Sequence, residues 1–196
     1  MLKKTLLAAV LALPALASAA PYLIAGGATG SAELDDIEAT YFPGTSLRSD
    51  DSFTRALVGI GMEVNPNLGL EALYLTEAEA TVEDSTGTMK DTLTSSGLQF
   101  ALLGKAPLTP QFSLFGKLSA NYMKVEWEFV DALLPTNSFS ESDSKMQLGF
   151  GAGAHFQASD AVGLRLGFER IQFRDAVNGA GDSDLDQTSL AVTFAF

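Results

Sequence analysis

Apolar residues recur at every second position through most of this chain, and that alternation restricts the possible folds more than any other feature. Around residue 60, for example, Val58, Ile60 and Met62 alternate with Gly59 and Gly61. Successive side chains of a β-strand point to opposite faces, so a period of two predicts strands rather than helices. Seven segments with this pattern, together with residues 22–29, predict eight strands.

The predicted connections are alternately short and long. Asn65-Pro66-Asn67, residues 107–111 and residues 158–160 have the composition of tight turns. The long connections are predicted at residues 32–52, 78–95, 128–144 and 175–185. The sequence therefore predicts an all-β fold, an eight-stranded antiparallel up-and-down β-barrel with short turns at one end and long loops at the other.

The first 19 residues have the composition of an export signal. Two lysines precede an apolar run over residues 5–16, and a small-x-small cleavage motif ends at Ala19. This order is typical of a cleaved secretory signal peptide, and the apolar run is too short for a membrane anchor. We therefore expect residues 1–19 to be removed and residues 20–196 to form a single barrel domain.

Alternation alone does not say which face of a barrel is its interior, so a soluble carrier and a transmembrane barrel are both compatible with it. Three features favour the transmembrane barrel. The less apolar face is rich in Gly, Ala and Ser, which suit a narrow interior. The turns and the loops lie at opposite ends. Aromatic residues near the predicted strand ends would form two interfacial girdles; they are Tyr22, Phe53, Tyr74, Phe112, Tyr122, Trp127, Phe156 and Phe196.

The composition excludes several classes of function. The chain has 24 acidic and 12 basic residues and a net charge of -12, so it lacks the basic surface that binds nucleic acid. It contains no cysteine, which excludes disulfides, thiolate nucleophiles and cysteine-ligated zinc. Its single histidine, His155, excludes any site that needs two. We expect no cofactor.

Five segments together resemble the OmpA-like outer-membrane β-barrel family, over essentially all of residues 20–196. They are residues 68–74 (LGLEALY), 115–122 (FGKLSANY), 148–156 (LGFGAGAHF), 162–170 (VGLRLGFER) and 190–196 (LAVTFAF). The resemblance implies a barrel in the bacterial outer membrane, and the terminal Phe196 is similar to the signal that the outer-membrane assembly machinery recognises. Some members carry a C-terminal peptidoglycan-binding domain, whereas this sequence stops at the last strand, so we expect no tethering to the cell wall.

Charged residues on the less apolar face would line the barrel interior. Those expected near the short-turn end are Glu63, Glu71, Lys105, Lys117, His155 and Arg165, with Glu169 and Arg55 farther along the barrel. Ionised groups in a narrow interior of low dielectric constant need partners. By resemblance to related barrels, Glu71 would pair with Arg165 and Lys117 and block a continuous water path. The alternative is that these charges only make the interior polar and define the strand register.

Two further patterns suggest chemistry, and both are weak. Some eight-stranded outer-membrane barrels modify lipid A, but that chemistry needs a histidine near the outer rim, whereas His155 is predicted at the short-turn end on the interior face. We therefore expect no catalytic residues. Asp182, Asp184 and Asp186 have the opening spacing of a calcium loop but lack its glycine and its final glutamate. We expect weak attraction of divalent cations there and no defined metal site.

These observations predict an integral outer-membrane protein with a structural or surface-interaction role. Loop and rim segments contain 20 of the 24 acidic residues, so the outer end should form an acidic crown. Such a crown repels the anionic groups of lipopolysaccharide unless divalent cations bridge them. We expect a monomer. The alternatives are a narrow pore for small solutes or ions, an enzyme acting on lipids and a soluble periplasmic carrier.

Overall fold

The computed structural model of the chain describes residues 20–32, 47–50, 52–84, 89–133, 136, 138–173 and 183–196. The strands are β1 (Ala20–Ala32), β2 (Leu47–Asp50), β3 (Ser52–Asn65), β4 (Leu68–Asp84), β5 (Met89–Pro107), β6 (Phe112–Asp131), β7 (Phe139–Gln157), β8 (Val162–Phe173) and β9 (Ser183–Ala195). β2 has four residues and pairs with the last part of β4, so the barrel wall consists of eight long strands. Within these described ranges, no helix is long and apolar enough to cross a membrane.

The eight long strands form a closed antiparallel barrel, which confirms the predicted fold class. Each long strand pairs with the next one along the chain, and β1 pairs with β9 from Tyr22↔Ala195 to Ala32↔Leu185 to close the ring. Closure gives the first and last strands partners on both sides, so the wall is continuous.

Side-chain hydrogen bonds define the short turns. Asn65 Oδ1 accepts a hydrogen bond from the backbone N–H of Asn67 at 2.8 Å, and Ser159 Oγ accepts one from Val162 at 3.1 Å. Asn and Ser suit turns because their short side chains satisfy nearby backbone donors. The turns that join β3 to β4, β5 to β6 and β7 to β8 lie at one end of the barrel, which we call the turn end. The opposite end is the far end.

The outer surface of the barrel is an apolar band. Leu118 and Leu148 lie within long strands, yet they are 63% and 69% exposed. The band also includes Leu23, Val58, Ile60, Leu70, Leu98, Phe100, Leu102, Phe150, Leu164, Leu166, Phe168, Leu190 and Val192. A soluble barrel would bury these side chains, whereas a transmembrane barrel presents them to lipid.

The predicted aromatic girdles are only partly correct. The outward-facing members are Tyr74, Tyr122, Phe112, Phe156 and Phe196. Tyr22, Phe53 and Trp127 instead point into the barrel, where they are almost fully buried. Each of these three residues lies at a strand position whose side chain points inward. Closeness to a strand end therefore did not determine which face of the barrel wall the side chain occupies.

The strands extend beyond the apolar band at the far end, so the long loops predicted at residues 78–95 and 128–144 are wrong. β4 and β5 pair as far as Glu83↔Lys90, and β6 and β7 pair as far as Phe129↔Phe139. The predicted loop at 175–185 also ends earlier, because β9 begins at Ser183. We call the paired parts of β4–β7 beyond the band the strand extension.

The polarity of the two faces reverses in the strand extension. Lys124, Glu126 and Glu128 point outward on β6, whereas Val125 and Trp127 are buried inside. Outward side chains contact lipid within a membrane but water beyond it, so the same alternation continues with its polar and apolar faces exchanged. The reversal explains why these segments resemble loops in the sequence.

Candidate functional site

The barrel interior near the turn end contains a buried ion pair. Glu71 of β4 and Arg165 of β8 project from opposite walls, and the guanidinium donates a hydrogen bond to the carboxylate. The hydroxyl of Tyr22 donates a second hydrogen bond to Glu71 Oε1 at 2.7 Å. The guanidinium carbon of Arg165 lies 5.3 Å from the ring centre of Phe115. All four side chains are buried, so removal of one charge would leave the other uncompensated.

A second cluster surrounds Glu169 of β8. Its carboxylate accepts hydrogen bonds from Lys117 Nζ at 2.7 Å, Ser119 Oγ at 2.6 Å and Gln187 Nε2 at 3.1 Å. Gln99 Nε2 donates to the same carboxylate at 3.0 Å, and Gln99 Oε1 accepts from Lys117 at 2.6 Å. These donors belong to β5, β6 and β9, so one carboxylate connects strands from several sides of the barrel.

The mouth at the turn end is polar. Glu63 pairs with Lys105, and His155 Nε2 lies 3.2 Å from Thr193 Oγ1. Glu63, His155, Thr193 and Arg165 line a cavity of about 220 Å³ that opens here. The mouth therefore admits water as far as the Glu71–Arg165 pair.

The structure places all seven charged or titratable residues of the predicted interior cluster in the lumen. They form three one-to-one ion pairs, Glu63–Lys105, Glu71–Arg165 and Glu169–Lys117, with His155 near the mouth. Lys117 bonds Glu169 and not Glu71 as the resemblance implied. The reason is register, because Lys117, Gly151 and Glu169 are direct partners across β6, β7 and β8, and the glycine leaves room between the two charged side chains.

Sequence reasoning missed the uncharged members of these clusters, which are Tyr22, Gln99, Ser119 and Gln187. A signal for Gln99 was present, because it occupies an inward position of its strand. Its direct partner across β5 and β6 is Asn121, whose Oδ1 accepts a hydrogen bond from Gln99 Nε2 at 2.6 Å. Two amides opposite each other on an interior face indicate a hydrogen-bond network.

Apolar side chains fill the interior toward the far end. Leu57, Leu73, Leu75, Met123 and Ile171 belong to one buried cluster. Between this cluster and the ion pairs lies a cavity of about 30 Å³. That volume holds one or two water molecules, so among the described residues the lumen narrows here to a space of water size.

The candidate cation loop is only partly described, because Asp182 lies outside the described residues. Asp184 and Asp186 lie on β9, where both bind Arg170 of β8, at 3.3 Å to Asp184 Oδ2 and 2.7 Å to Asp186 Oδ1. Within the part of the chain that the structure describes, no group of three His, Cys, Asp or Glu side chains is arranged to hold a metal ion. The two described carboxylates of this loop, those of Asp184 and Asp186, are therefore paired with the guanidinium of Arg170.

The sequence model of the outer membrane protein beta-barrel domain matches residues 5–196. The chain belongs to this family. No curated protein is similar enough to this chain to count as a match.

Solved outer-membrane barrels share the fold. Neisserial surface protein A has a TM-score of 0.60 at 12% identity, covering 91% of this chain and 99% of that chain. Ail, the attachment invasion locus protein of Yersinia pestis, has a TM-score of 0.59 at 17% identity, covering 90% and 99%. A major outer membrane protein of Thermus thermophilus has a TM-score of 0.52 at 12% identity, covering 89% and 99%. At these identities the likeness shows the fold alone.

Membership of the family leads to an expectation about the two ends of the barrel. Outer-membrane barrels direct their short turns to the periplasm and their longer connections outward. We therefore expect the turn end to be periplasmic and the far end to be extracellular, and the two ends are named accordingly below. The apolar band occupies the membrane, with Tyr74 and Tyr122 at its outer boundary, and the strand extension stands outside the membrane.

Proposed function

We propose that this outer-membrane barrel is a closed anchor that displays an extracellular surface. The observation that carries the proposal is the filled interior. The Glu71–Arg165 and Glu169–Lys117 pairs connect the walls near the periplasmic end, and the buried apolar cluster packs above them. An eight-stranded barrel is just wide enough for side chains to fill, whereas channels that conduct freely use more strands.

Conductance in planar lipid bilayers tests this proposal. We expect the wild-type barrel to show little or no steady conductance. Glu71→Ala should raise single-channel conductance, because it leaves Arg165 without its carboxylate and disorders the layer that closes the lumen. Glu126→Ala is the matched control, since this residue lies outside the lumen in a surface pair with Lys124. A large, stable wild-type conductance would contradict the closed anchor.

The second candidate is a narrow pore for small solutes or ions. It is favoured by the water-sized cavity between the ion pairs and the apolar cluster. Water in this cavity would shorten the stretch of the lumen that an ion has to cross without water. This candidate predicts small but reproducible wild-type conductance steps that Glu71→Ala enlarges. An enzyme acting on lipids is a weaker candidate, because His155 faces the lumen at the periplasmic end and bonds a buried threonine.

The surface proposed for display is the outer face of the strand extension. It presents Glu77, Glu79, Glu126 and Glu128, so we propose contacts with cationic groups or, through divalent cations, with lipopolysaccharide phosphates. The structure of Ail in complex with the heparin analogue sucrose octasulfate offers an instructive contrast. A polyanion of that kind should bind this acidic face poorly unless calcium or magnesium is present.

A binding assay with purified lipopolysaccharide tests the role of divalent cations. We expect calcium to increase binding and a chelator to reverse the increase. Glu126→Gln with Glu128→Gln should reduce the calcium dependence, because fewer carboxylates remain to bridge. Asp160→Asn in a periplasmic turn is the control and should retain it. Chelator-insensitive binding by the wild type would be evidence against cation bridging.

Export and assembly complete the proposed function. Residues 1–19 would be removed after Ala19, so N-terminal sequencing of the membrane-embedded protein should begin at Ala20. Phe196 directly follows β9 and is 73% exposed, so its ring is available to the assembly machinery. We propose that it acts as the assembly signal of the barrel.

A further inference from the structure

The barrel interior contains one cation more than its ion pairs use. The paired cations and their partners are Lys105 with Glu63, Arg165 with Glu71, and Lys117 with Glu169. Arg55 of β3 is a further interior cation and is only 2% exposed. None of its three guanidinium nitrogens has a hydrogen-bond partner among the residues that the structure describes. A buried charge without a counter-ion is strongly destabilising, so Arg55 requires an explanation.

The neighbours of Arg55 do not supply the missing partner. Its guanidinium carbon lies 4.6 Å from the ring centre of Phe53, and this stacking leaves the N–H donors at the edge of the plane unused. Glu169 interacts with Arg55 electrostatically, but its carboxylate already accepts from Lys117, Ser119 and two glutamine amides. The interior side of Arg55 therefore has strong donors that no described side chain meets. Two buried acceptors, Asp91 Oδ2 and Gln187 Oε1, also lack partners, and neither bonds Arg55.

The barrel wall is irregular beside Arg55. The ladder between β3 and β4 ends at Leu57↔Leu75, and β4 contains a bulge between Leu75 and Ala78. The β3 segment that carries Arg55 lies just beyond the end of this ladder. Bulges locally separate paired strands and interrupt their hydrogen bonds.

A polar cavity of about 360 Å³ lies at this irregularity. It is lined by Phe53 and Thr54, which directly precede Arg55, and by Glu77 and Glu79 of β4. Thr54, Glu77 and Glu79 are exposed, so this cavity lies on the outer face of the wall and brings water to the backbone next to Arg55.

We propose that Arg55 binds a small monovalent anion, with the size and charge of chloride, in the extracellular half of the barrel interior. The guanidinium edge supplies charged N–H donors, which form stronger hydrogen bonds than neutral ones. The buried Leu57 and Phe53 on either side of Arg55 in β3 limit competition from water. A single bound anion supplies the counter-ion that the three described ion pairs leave Arg55 without.

Anion replacement at constant ionic strength tests the proposal. The thermal unfolding midpoint of the refolded barrel in a zwitterionic detergent is measured while chloride replaces gluconate. We expect the wild-type midpoint to rise with the logarithm of chloride concentration once the site begins to fill. Arg55→Met keeps an apolar side chain of similar length and should make the midpoint independent of chloride. Arg170→Met removes an outward-facing arginine and should retain the wild-type dependence.

A second measurement needs no substitution. Crystals of the wild-type protein grown with bromide in place of chloride should show an anomalous peak within hydrogen-bonding distance of the Arg55 nitrogens. The proposal is overturned by a bromide map without a peak at Arg55. It is equally overturned if wild type and Arg55→Met respond identically to chloride.

Discussion

One buried carboxyl group in the strand extension, that of Asp91, has a raised pKa. Asp91 of β5 is buried inside the strand extension and accepts a hydrogen bond from Trp127 Nε1. Burial raises the pKa of Asp91 to about 6, although the hydrogen bonds from Trp127 and from the backbone of Thr92 oppose the shift. Asp91 Oδ2 has no hydrogen-bond partner within the described ranges, so the effect of burial outweighs the hydrogen bonds that favour the charged form.

We predict that the strand extension is more stable in mild acid than at neutral pH. The folded-state pKa of Asp91 lies above its ordinary value of 3.8, so folding favours the protonated carboxyl. The resulting stabilisation is fully present below pH 3.8 and is lost as the pH rises through about 6. Trp127 is the single tryptophan of the chain, so its fluorescence should titrate with a midpoint near that value.

Two variants make this titration specific. Asp91→Asn should abolish it, because the amide carries no titrating proton in this range. Asp143→Asn should leave it intact, since Asp143 is solvent-exposed and the hydrogen bond from Lys145 holds its pKa below the ordinary value. A fluorescence titration that survives Asp91→Asn would assign the signal to another group.

At the scale of single residues, the sequence predicts which side chains enter the lumen but not which ones meet. The phase of the alternation placed Glu71, Lys117 and Glu169 inside correctly. Their pairing depends on the register between strands distant in sequence, and it is this register that sets Lys117 opposite Gly151 and Glu169. A period of two is the same for every even shift of register, so alternation carries no such information.

At the scale of a strand, β7 shows how glycine allows a narrow barrel to contain large side chains. Gly153 faces the interior, and a Cβ built there would overlap the carbonyl oxygen of Leu166 and lie 2.8 Å from Phe115 Cε1. Gly116 on the neighbouring strand β6 faces outward, and a Cβ there meets nothing within 4 Å. The two glycines lie at adjacent levels of one strand pair, because Phe115 is the partner of Gly153.

We predict opposite outcomes for alanine at these two glycines. Gly153→Ala should lower the free energy of unfolding by about 1–3 kcal/mol, the usual cost of overpacking a filled interior. Gly116→Ala should change it by less than about 0.5 kcal/mol, as expected for an open position. Urea unfolding in phosphatidylcholine vesicles measures both. Equal effects of the two substitutions would show that the interior at β7 has spare room.

The strand extension shows where sequence prediction fails at this scale. The eight strands were recovered because their outward face is apolar throughout the membrane. Beyond Tyr122, β6 continues to alternate, but its outward residues become Lys124 and Glu126 while Val125 turns inward. The prediction took an apolar outward face as the mark of a strand, so segments with a polar outward face were assigned to loops. β4–β7 were therefore predicted too short at their extracellular ends.

At the scale of the whole molecule, the protein has three layers along its axis. The periplasmic part of the interior is polar and ion-paired. The part above it is lined mainly by apolar side chains around the buried Arg55 and Asp91, and the strand extension carries acidic side chains on its outer face. Only the middle of the outer surface is apolar, so the molecule has one stable depth in a membrane. These layers do not determine which end of the barrel faces outward. We infer that orientation from the position of the short turns.

We predict that the connection at residues 132–133 is accessible from outside the cell and the turn at residue 111 is not. Because the chain contains no cysteine, a single introduced thiol reports one position. Leu133 is 71% exposed at the far end, and Gln111 is exposed in a short turn. A polyethylene-glycol maleimide too large to cross the outer membrane should label Leu133→Cys on intact cells. It should label Gln111→Cys only after the membrane is permeabilised. The reverse pattern would show that the barrel is inserted with its short turns outward. The acidic outer face of the strand extension would then lie in the periplasm. Its proposed contacts with lipopolysaccharide would have no basis.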